Sequence, residues 1–130
     1  KGRAPLVAGV SEFTTAAAID YVRDAEKIGV DALMVLPAMV YVPRPEELAA
    51  HFRAVAEATS LPIMLYNNPP AYRTTIDFDT LASLEDVSNI VAIKESAPDT
   101  RRITDVINRF GDRYTVMAGL DDIALEGLAG

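Results

Sequence analysis

The sequence predicts an α/β fold that forms part of a (β/α)8 barrel. Short apolar runs typical of strands alternate with longer stretches of helical periodicity. Five such pairs follow one another, and their strands begin near residues 6, 32, 62, 90 and 114, at intervals of 24 to 30 residues. Repeated strand–helix pairs form either a doubly wound sheet or a barrel. The even spacing, without a glycine-rich phosphate loop, favours the barrel.

The first pair is a strand at residues 6–10 and a helix at residues 16–28. Thr14 and Thr15 offer side-chain hydroxyls for the helix N-cap, and apolar side chains recur at every third position inside the helix. Gly29 follows the last of them, and glycine commonly ends helices. The first pair therefore carries its own start and stop signals.

The second pair is a strand at residues 32–36, ended by Pro37, and a helix at residues 46–59. The third pair is a strand at residues 62–66 and a short helix near residues 79–84, with a loop rich in Asn and Pro between them. The strand at residues 32–36 is apolar without alternation, which predicts that both of its faces are buried in a helix-covered parallel sheet.

The fourth pair is a strand at residues 90–94 and a helix at residues 100–110, and the fifth is a strand at residues 114–119 with the start of another helix. A closed barrel has eight pairs and usually about 200 residues or more. This chain supplies five pairs in 130 residues. We therefore expect residues 1–130 to be one partial barrel domain with a catalytic role, an interior piece of a longer protein without its N- and C-terminal parts.

Composition argues against several classes of function. The net charge of −7 argues against a nucleic-acid partner, because phosphates require a clustered basic surface. The absence of cysteine excludes disulfides and thiolate chemistry, and with His51 as the single histidine a metal site is not expected. No apolar run approaches the ~18 residues of a membrane span, and the N-terminus lacks the apolar core of a signal peptide. We therefore expect a cytoplasmic protein with no membrane partner.

Lys94 is the strongest candidate among the polar residues at the carboxyl ends of the predicted strands, where α/β enzymes place their active sites. It ends an apolar strand, where an unpaired ammonium is costly. Burial lowers the pKa of a lysine and frees its amine to attack carbonyl groups. The alternatives are a lysine that pairs with Glu95 or one that extends from the barrel rim into solvent.

Tyr66 ends the preceding predicted strand. Because consecutive barrel strands are neighbours, Tyr66 and Lys94 should face the same mouth of the barrel, where a phenol can relay protons for a reacting amine. The alternative is an aromatic ring that fills the top layer of the barrel. The occurrence of both residues is more informative than either one.

Further polar residues follow the third and fifth strands. Asn67 and Asn68 begin a rigid polar loop, with turn formation as the alternative. Gly119 would let a ligand approach the backbone, whereas Asp121 and Asp122 are candidates for capping the last helix.

Other side chains are expected to be structural. Arg102, at the start of the fourth helix, should be solvated. Met34, Met64 and Met117 lie in predicted strands and should fill the core.

Two motifs resemble the dihydrodipicolinate synthase/N-acetylneuraminate lyase family. They are Leu-Tyr-Asn at residues 65–67 and Ile-Val-Ala-Ile-Lys-Glu-Ser at residues 90–96, in which Tyr66 and Lys94 are 28 residues apart. Gly-Leu-Asp-Asp at residues 119–122 is similar to the family's Gly-x-Asp element. The resemblance covers essentially the whole chain, as strands three to seven of a TIM barrel.

The resemblance implies a lyase of the class I aldolase type. Lys94 would form a Schiff base with the 2-oxo group of pyruvate or another 2-oxo acid, and the protonated imine would stabilise the neighbouring carbanion as an enamine. Tyr66 would shuttle protons during aldol-type cleavage or condensation, dehydration or deamination. With a one-residue gap after Pro37, Tyr41 resembles the family's second tyrosine, which in many members reaches into the neighbouring subunit's site.

The substrate contacts that the resemblance implies are Asn67, Asn68, Arg73, Gly119 and Asp121. Dihydrodipicolinate synthases usually carry an arginine shortly after the Tyr-Asn pair. An ungapped match puts Ala71 at that place, and Arg73 would serve only with a two-residue insertion. Because of this departure, the sequence is also similar to relatives that dehydrate or deaminate 2-oxo sugar acids or hydroxyproline-derived imino acids.

The resemblance also implies no metal or organic cofactor, a small 2-oxo acid as substrate, and a homo-oligomer, either a dimer or a tetramer. The family's N-terminal Gly-Thr-Thr-Gly-Glu-type segment, which supplies relay hydroxyls, is absent from this sequence, so we expect these 130 residues alone to be catalytically incomplete. Two alternatives stay open. One is a non-catalytic barrel fragment that acts as a scaffold or assembly module, and the other is a phosphate-binding barrel enzyme, which the acidic Asp121-Asp122 pair disfavours.

Overall fold

The computed structural model describes residues 2–129 and consists of parallel strands that alternate with helices. The strands are β1 (Val7–Val10), β2 (Ala32–Val35), β3 (Ile63–Asn67), β4 (Ile90–Glu95) and β5 (Thr115–Ala118). The helices are α1 (Thr15–Ile28), α2 (Pro45–Glu57), α3 (Pro69–Tyr72), α4 (Phe78–Ala82), α5 (Arg101–Phe110) and α6 (Ala124–Ala129), with 3₁₀ turns at Gly111–Arg113 and Asp121–Ile123.

The five strands form one parallel sheet in the order β1-β2-β3-β4-β5, so each strand pairs with the next one along the chain. This sequential order is that of a barrel wall, whereas the strand order of a doubly wound sheet reverses at a switch point. All five strands also end at the same edge of the sheet. The polar residues that follow them are therefore brought to one side of the molecule.

The helices cover one face of the sheet. Side chains alternate along each strand apart from a register shift in β4, where Ile90 pairs with Ile63 but Ala92 pairs with Met64. Those on the helix side form the core together with buried residues of the helices. The fully buried members include Leu33, Val35, Ile63, Leu65, Ile90 and Ile93.

The opposite face of the sheet is more open. Met34 and Met64 are only partly buried there, and Met117 is 47% exposed. The prediction of a strand buried on both faces is therefore wrong for β2 within residues 2–129, because the helices pack against one face alone. The three methionines belong to this open face and not to the helix-side core.

Local sequence signals set the bounds of α1 as predicted. The Thr14 hydroxyl accepts a hydrogen bond from the Ala17 amide at 3.2 Å, which satisfies one of the free donors in the first turn. Gly29 adopts a left-handed conformation with φ of 87°, which a residue with a side chain rarely adopts.

The segment after β3 differs from the predicted loop. Residues Pro69–Tyr72 form a short helix, because the Asn68 side chain accepts from the Ala71 amide at 3.2 Å and proline at the first helical position needs no N–H partner. The helix ends at Arg73, which is left-handed with φ of 53°. No helix among residues 2–129 is long and apolar enough to cross a bilayer.

Candidate active site

Lys94 and Tyr66 are opposite each other in the paired strands β4 and β3. Both side chains are partly buried on the open face of the sheet, near its carboxyl edge. The Lys94 Nζ lies 4.3 Å from the centre of the Tyr66 ring, within the range of a cation–π contact. The structure thus places an amine and a phenol side by side, as the strand-end argument predicts.

The Tyr66 phenol is surrounded by polar groups. Asn68 Nδ2 donates a hydrogen bond to its oxygen at 2.9 Å. Burial by itself would raise the pKa of Tyr66, but its polar neighbours Ser96 and Asn68 and the charge of Lys94 outweigh burial and hold that pKa below its ordinary value. A phenol with a lowered pKa releases its proton more readily, as a proton relay requires.

Gly119 packs directly against the strand end that carries Lys94. Its amide donates to the Glu95 carbonyl at 2.7 Å. A Cβ atom added at Gly119 would overlap the Ser96 Oγ and would lie 2.9 Å from the Glu95 carbonyl oxygen and 3.1 Å from the Lys94 Cγ. The close approach that glycine permits at this position is therefore to the chain itself.

Ser96 presents a buried hydroxyl beside this glycine. The residue is fully buried, and its hydroxyl is one of the polar groups that lower the pKa of Tyr66. The hydroxyl therefore belongs to the polar surroundings of the phenol.

Asn67 lies behind the site, on the helix side of the sheet. It is fully buried; its Nδ2 donates to Glu95 Oε1 at 2.7 Å, and its Oδ1 accepts from the Ile76 amide at 2.9 Å. Through these hydrogen bonds, the Asn67 amide joins the ends of β3 and β4 to the segment that contains Ile76. A direct substrate contact, which the sequence suggested, is not available to Asn67 in this arrangement, because successive strand residues face opposite sides.

Tyr41 and Arg73 lie apart from the Lys94–Tyr66 pair but close to each other. Both line a surface depression between the loop after β2 and the short helix α3. Tyr41 is 61% exposed. Tyr72, also in this depression, packs its ring edge-on against the Tyr66 ring at 5.7 Å, so the depression adjoins the pair.

Asp121 and Asp122 are exposed in the 3₁₀ turn that follows β5. Neither carboxylate makes a hydrogen bond or ion pair with another described residue. The alternative role of a helix cap is therefore not seen.

Two charged residues were missed or misjudged from the sequence. Arg102 was expected to be solvated, but its side chain is 12% exposed and its Nε donates to Glu95 Oε2 at 2.5 Å. Glu95 is fully buried and faces away from Lys94, so the two do not pair. Alternation along β4 was the available signal, because it puts Glu95 on the helix side, where a carboxylate needs a cationic partner.

No cluster of three or more His, Cys, Asp or Glu side chains that could hold a metal ion occurs within the described range 2–129. The chemistry that this arrangement can support is that of an amine nucleophile with a neighbouring acid or base.

Comparison with known proteins gives consistent matches. Residues 1–129 match the model of the dihydrodipicolinate synthetase family. The 4-hydroxy-tetrahydrodipicolinate synthase of Desulforudis audaxviator is 40% identical over 130 residues, which cover 98% of this chain and 44% of that protein. The chain therefore spans less than half the length of this curated relative.

Solved structures match the fold closely. The 4-hydroxy-tetrahydrodipicolinate synthase of Methylacidiphilum fumariolicum superposes with a TM-score of 0.93 at 35% identity, over 98% of this chain and 43% of that one. The dihydrodipicolinate synthase of Acinetobacter baumannii, solved in complex with pyruvate, gives a TM-score of 0.92 at 32% identity, over 98% of this chain and 44% of that one. These matches confirm the predicted partial (β/α)8 barrel.

Proposed function

The chain belongs to the dihydrodipicolinate synthetase family, and from this premise we propose that its protein is a lyase that forms a Schiff base with pyruvate or another 2-oxo acid. In this proposal, residues 1–130 are part of the catalytic domain. Lys94 is the nucleophile and Tyr66 is the proton-transfer residue. The reaction is an aldol-type cleavage or condensation, a dehydration or a deamination.

The first steps use Lys94 as an amine. Its Nζ attacks the carbon of the 2-oxo group, water leaves, and the product is an imine. Once protonated, the imine withdraws electrons, so the bond to a proton or carbon substituent at the adjacent carbon can break and leave an enamine. The protonated imine formed on Lys94 is the electron sink, and the proposed reaction therefore needs no metal or organic cofactor.

Tyr66 serves the proton transfers. Loss of water from the carbinolamine needs a proton donor, and formation of the imine needs an acceptor for the protons that the amine gives up. The single observation that carries the proposal is the position of the Lys94 Nζ, 4.3 Å from the Tyr66 ring centre. The lowered pKa of Tyr66 supports the same role.

The other residues take proposed roles in substrate binding. Arg73 offers a guanidinium for a substrate carboxylate, and Asn68 holds the Tyr66 phenol through its hydrogen bond at 2.9 Å. Gly119 and Asp121, which follow β5, are proposed to form one side of the substrate site. Tyr41, exposed beside Arg73, is proposed to complete a site in a neighbouring copy, which fits a homo-oligomeric dimer or tetramer.

The substrate is proposed only as a class, a small 2-oxo acid. The solved relative from Acinetobacter baumannii binds pyruvate, which makes pyruvate the first compound to test. Ala71 stands where an ungapped match expects an arginine. Because of this departure, the proposal includes dehydration or deamination of 2-oxo sugar acids and related imino acids as well as condensation with an aldehyde.

Borohydride trapping tests the proposal directly. The protein, expressed from its complete coding sequence, is incubated with pyruvate and borohydride, and its intact mass and peptide map are measured. Borohydride reduces an imine irreversibly, so we expect a single pyruvate-derived adduct on Lys94. Lys94→Arg keeps a cation beside Tyr66 but cannot form an imine, and it should give no adduct. No adduct on the wild-type protein with several 2-oxo acids would overturn the proposal and favour a non-catalytic scaffold.

A further inference from the structure

A closed ring of hydrogen bonds lies directly behind the Lys94–Tyr66 pair. Its central member is Glu95, which is fully buried. Its Oε1 accepts from Asn67 Nδ2 at 2.7 Å and from the Ala97 amide at 2.8 Å, and its Oε2 accepts from Arg102 Nε at 2.5 Å. Both oxygens of the buried carboxylate therefore accept hydrogen bonds.

Arg102 closes the ring from helix α5. Its second terminal nitrogen donates to the Ile76 carbonyl, and the Ile76 amide in turn donates to Asn67 Oδ1 at 2.9 Å. The guanidinium also lies over the Phe78 ring, 4.9 Å from its centre. The ring thus joins β3, β4, the segment before α4, and α5.

The ring is bonded to the residues next to the site. Asn67 follows Tyr66, Glu95 follows Lys94, and both pairs are opposite each other in the register of β3 and β4. The Ser96 amide adds a backbone bond to the Asn67 carbonyl at 2.8 Å. Because successive side chains of a strand point to opposite faces, fixing Asn67 against Glu95 on one face fixes the spacing of Tyr66 and Lys94 on the other.

Stability alone is a weak reason for such an arrangement. A buried ion pair loses the hydration of both ions, and well-packed apolar side chains of similar size are often as stabilising. Charge-assisted hydrogen bonds are, however, directional and short, so they define a geometry that apolar packing leaves looser. Imine formation requires the amine and its proton relay at a defined separation, and small displacements are costly in rate.

We infer that Glu95 and Arg102 are positioning residues that hold Lys94 and Tyr66 at the separation needed for imine formation. Neither touches the reacting atoms. They act through Asn67 and through the ends of β3 and β4. The inference rests on the proposed function, because the separation matters only if Lys94 reacts with a carbonyl group.

Glu95→Gln in the protein expressed from its complete coding sequence tests this inference. The variant keeps the size of the side chain and an oxygen for Asn67, but it loses the charge that pairs with Arg102. Ile93→Val is the matched control, since Ile93 lies on the same strand and the same face, is fully buried and is outside the ring. Each protein is assayed for melting temperature, for the rate of borohydride trapping at saturating pyruvate, and for the pyruvate concentration that gives half the maximal rate.

A positioning role predicts that Glu95→Gln slows trapping by about 10- to 100-fold at saturating pyruvate, with little change in the half-saturating concentration. Ile93→Val should trap at the wild-type rate, although its melting temperature falls. Trapping by Glu95→Gln at the wild-type rate would overturn the inference. The inference would also be overturned if, in both variants, the trapping rate fell only in proportion to the fraction of unfolded protein. If Glu95→Gln does not fold, Arg102→Lys carries the same test, since lysine keeps the charge but cannot bond to Glu95 and to the Ile76 carbonyl in the same forked geometry.

A second measurement separates this inference from the proposed function. Tyrosine labelled with carbon-13 in the ring reports the titration of Tyr66 by NMR without any substrate, and Tyr66→Phe assigns its signal. If the hydrogen-bond ring around Glu95 holds Lys94 beside the phenol, Glu95→Gln should raise the pKa of Tyr66 towards its ordinary value. A wild-type protein that traps no 2-oxo acid while Glu95→Gln shifts this titration would end the proposed function and support the positioning arrangement. An unchanged titration together with normal trapping would end the inference alone.

Discussion

The Lys94 ammonium lies over the face of the Tyr66 ring, 4.3 Å from its centre, and the phenol oxygen of that ring accepts a hydrogen bond from Asn68 at 2.9 Å. Lys94 and Ser96 also act on the hydroxyl, whose pKa they lower together with Asn68. The ring contributes packing and the contact with the cation, whereas the hydroxyl contributes the hydrogen bond and the proton. A substitution that removes only the hydroxyl distinguishes the chemical contribution of Tyr66 from its packing.

Tyr66→Phe should slow borohydride trapping on Lys94 by about 10²- to 10⁴-fold, the usual contribution of a general acid or base. The cation–π contact and the edge-on contact with Tyr72 depend on the ring, so the melting temperature should change little. Trapping rates and thermal melts are measured side by side. Tyr21→Phe, which removes a hydroxyl from the surface of α1 where Tyr21 is 38% exposed, is the control. Wild-type trapping by Tyr66→Phe would exclude the phenol from proton transfer.

Gly119→Ala should impair both stability and trapping. The added Cβ would overlap the Ser96 Oγ and would lie 2.9 Å from the Glu95 carbonyl oxygen. The end of β5 must then move away from β4, or Lys94 must shift. Gly9→Ala on β1 is the matched control, because its Cβ would meet only the Met34 Cε at 4.0 Å.

We expect Gly119→Ala to lower the free energy of unfolding by about 1–3 kcal/mol, as overpacking does, and to slow trapping. Gly9→Ala should be close to neutral in both. Urea unfolding and borohydride trapping measure the two effects. Equal behaviour of the two variants would contradict the close packing around Gly119.

The sequence was sufficient for features that depend on neighbouring residues. The bounds of α1 follow from Thr14 and Gly29, because capping hydrogen bonds and left-handed glycines act within one helical turn. The pairing of Tyr66 with Lys94 was also predictable, since both end consecutive strands and consecutive strands of a barrel are neighbours.

The ring around Glu95 could not be found in the same way. Asn67 and Glu95 are 28 residues apart, and they meet only because the register of β3 and β4 aligns them. Arg102 reaches Glu95 because α5 packs on the helix side of the sheet, and nothing in its own sequence neighbourhood distinguishes it from the exposed Arg101. The helical turn at Pro69–Tyr72 was missed for another reason. Its start signals, Asn68 and a first-position proline, are also those of a loop.

Arg73 allows a test that separates folding from binding. Its backbone is left-handed with φ of 53°, a conformation that costs a residue with a side chain roughly 1–2 kcal/mol. Arg73→Gly should therefore leave the free energy of unfolding unchanged or raise it by up to about 1 kcal/mol. If the guanidinium binds the substrate carboxylate, the same variant should raise the half-saturating pyruvate concentration about 10- to 100-fold, the effect of losing one hydrogen bond between charged groups.

Arg73→Asn is the control for this prediction, because asparagine tolerates the left-handed conformation and also lacks the charge. Both variants should lose affinity to a similar extent. Denaturant unfolding and trapping at varied pyruvate concentrations measure the two quantities. Wild-type affinity in both variants would remove Arg73 from the proposed site and leave the carboxylate to another group.

His51 connects three elements beneath the loop that carries Tyr41. Its Nε2 lies 3.3 Å from the Leu36 carbonyl oxygen, and its Nδ1 lies 3.0 Å from the Thr15 hydroxyl. A carbonyl oxygen can only accept, so Nε2 carries the proton and Nδ1 accepts from Thr15. Burial lowers the pKa of His51, against a smaller raising effect of the Leu36 carbonyl. The folded protein therefore favours the neutral imidazole.

Stability should consequently fall as the pH falls through the titration of His51. The unfolded chain binds a proton at this residue near its ordinary pKa of about 6.5, whereas the folded chain binds it only at a lower pH. Below about pH 6.5 the unfolded state thus holds more protons, and the contribution of His51 is lost towards its folded pKa. His51→Gln removes the titration while keeping an amide donor for Leu36 and an acceptor for Thr15.

Urea unfolding at about pH 8, 7, 6 and 5 measures this linkage in the wild-type protein and in His51→Gln. We expect the difference in unfolding free energy between the two to be constant above about pH 7 and to shrink at lower pH, because only the wild-type imidazole titrates there. The comparison isolates His51, since every other titrating group is common to both proteins. A difference that stays constant down to about pH 5 would mean that the folded protein binds a proton at His51 as readily as the unfolded chain does, and one that grows as the pH falls would mean that it binds the proton more readily.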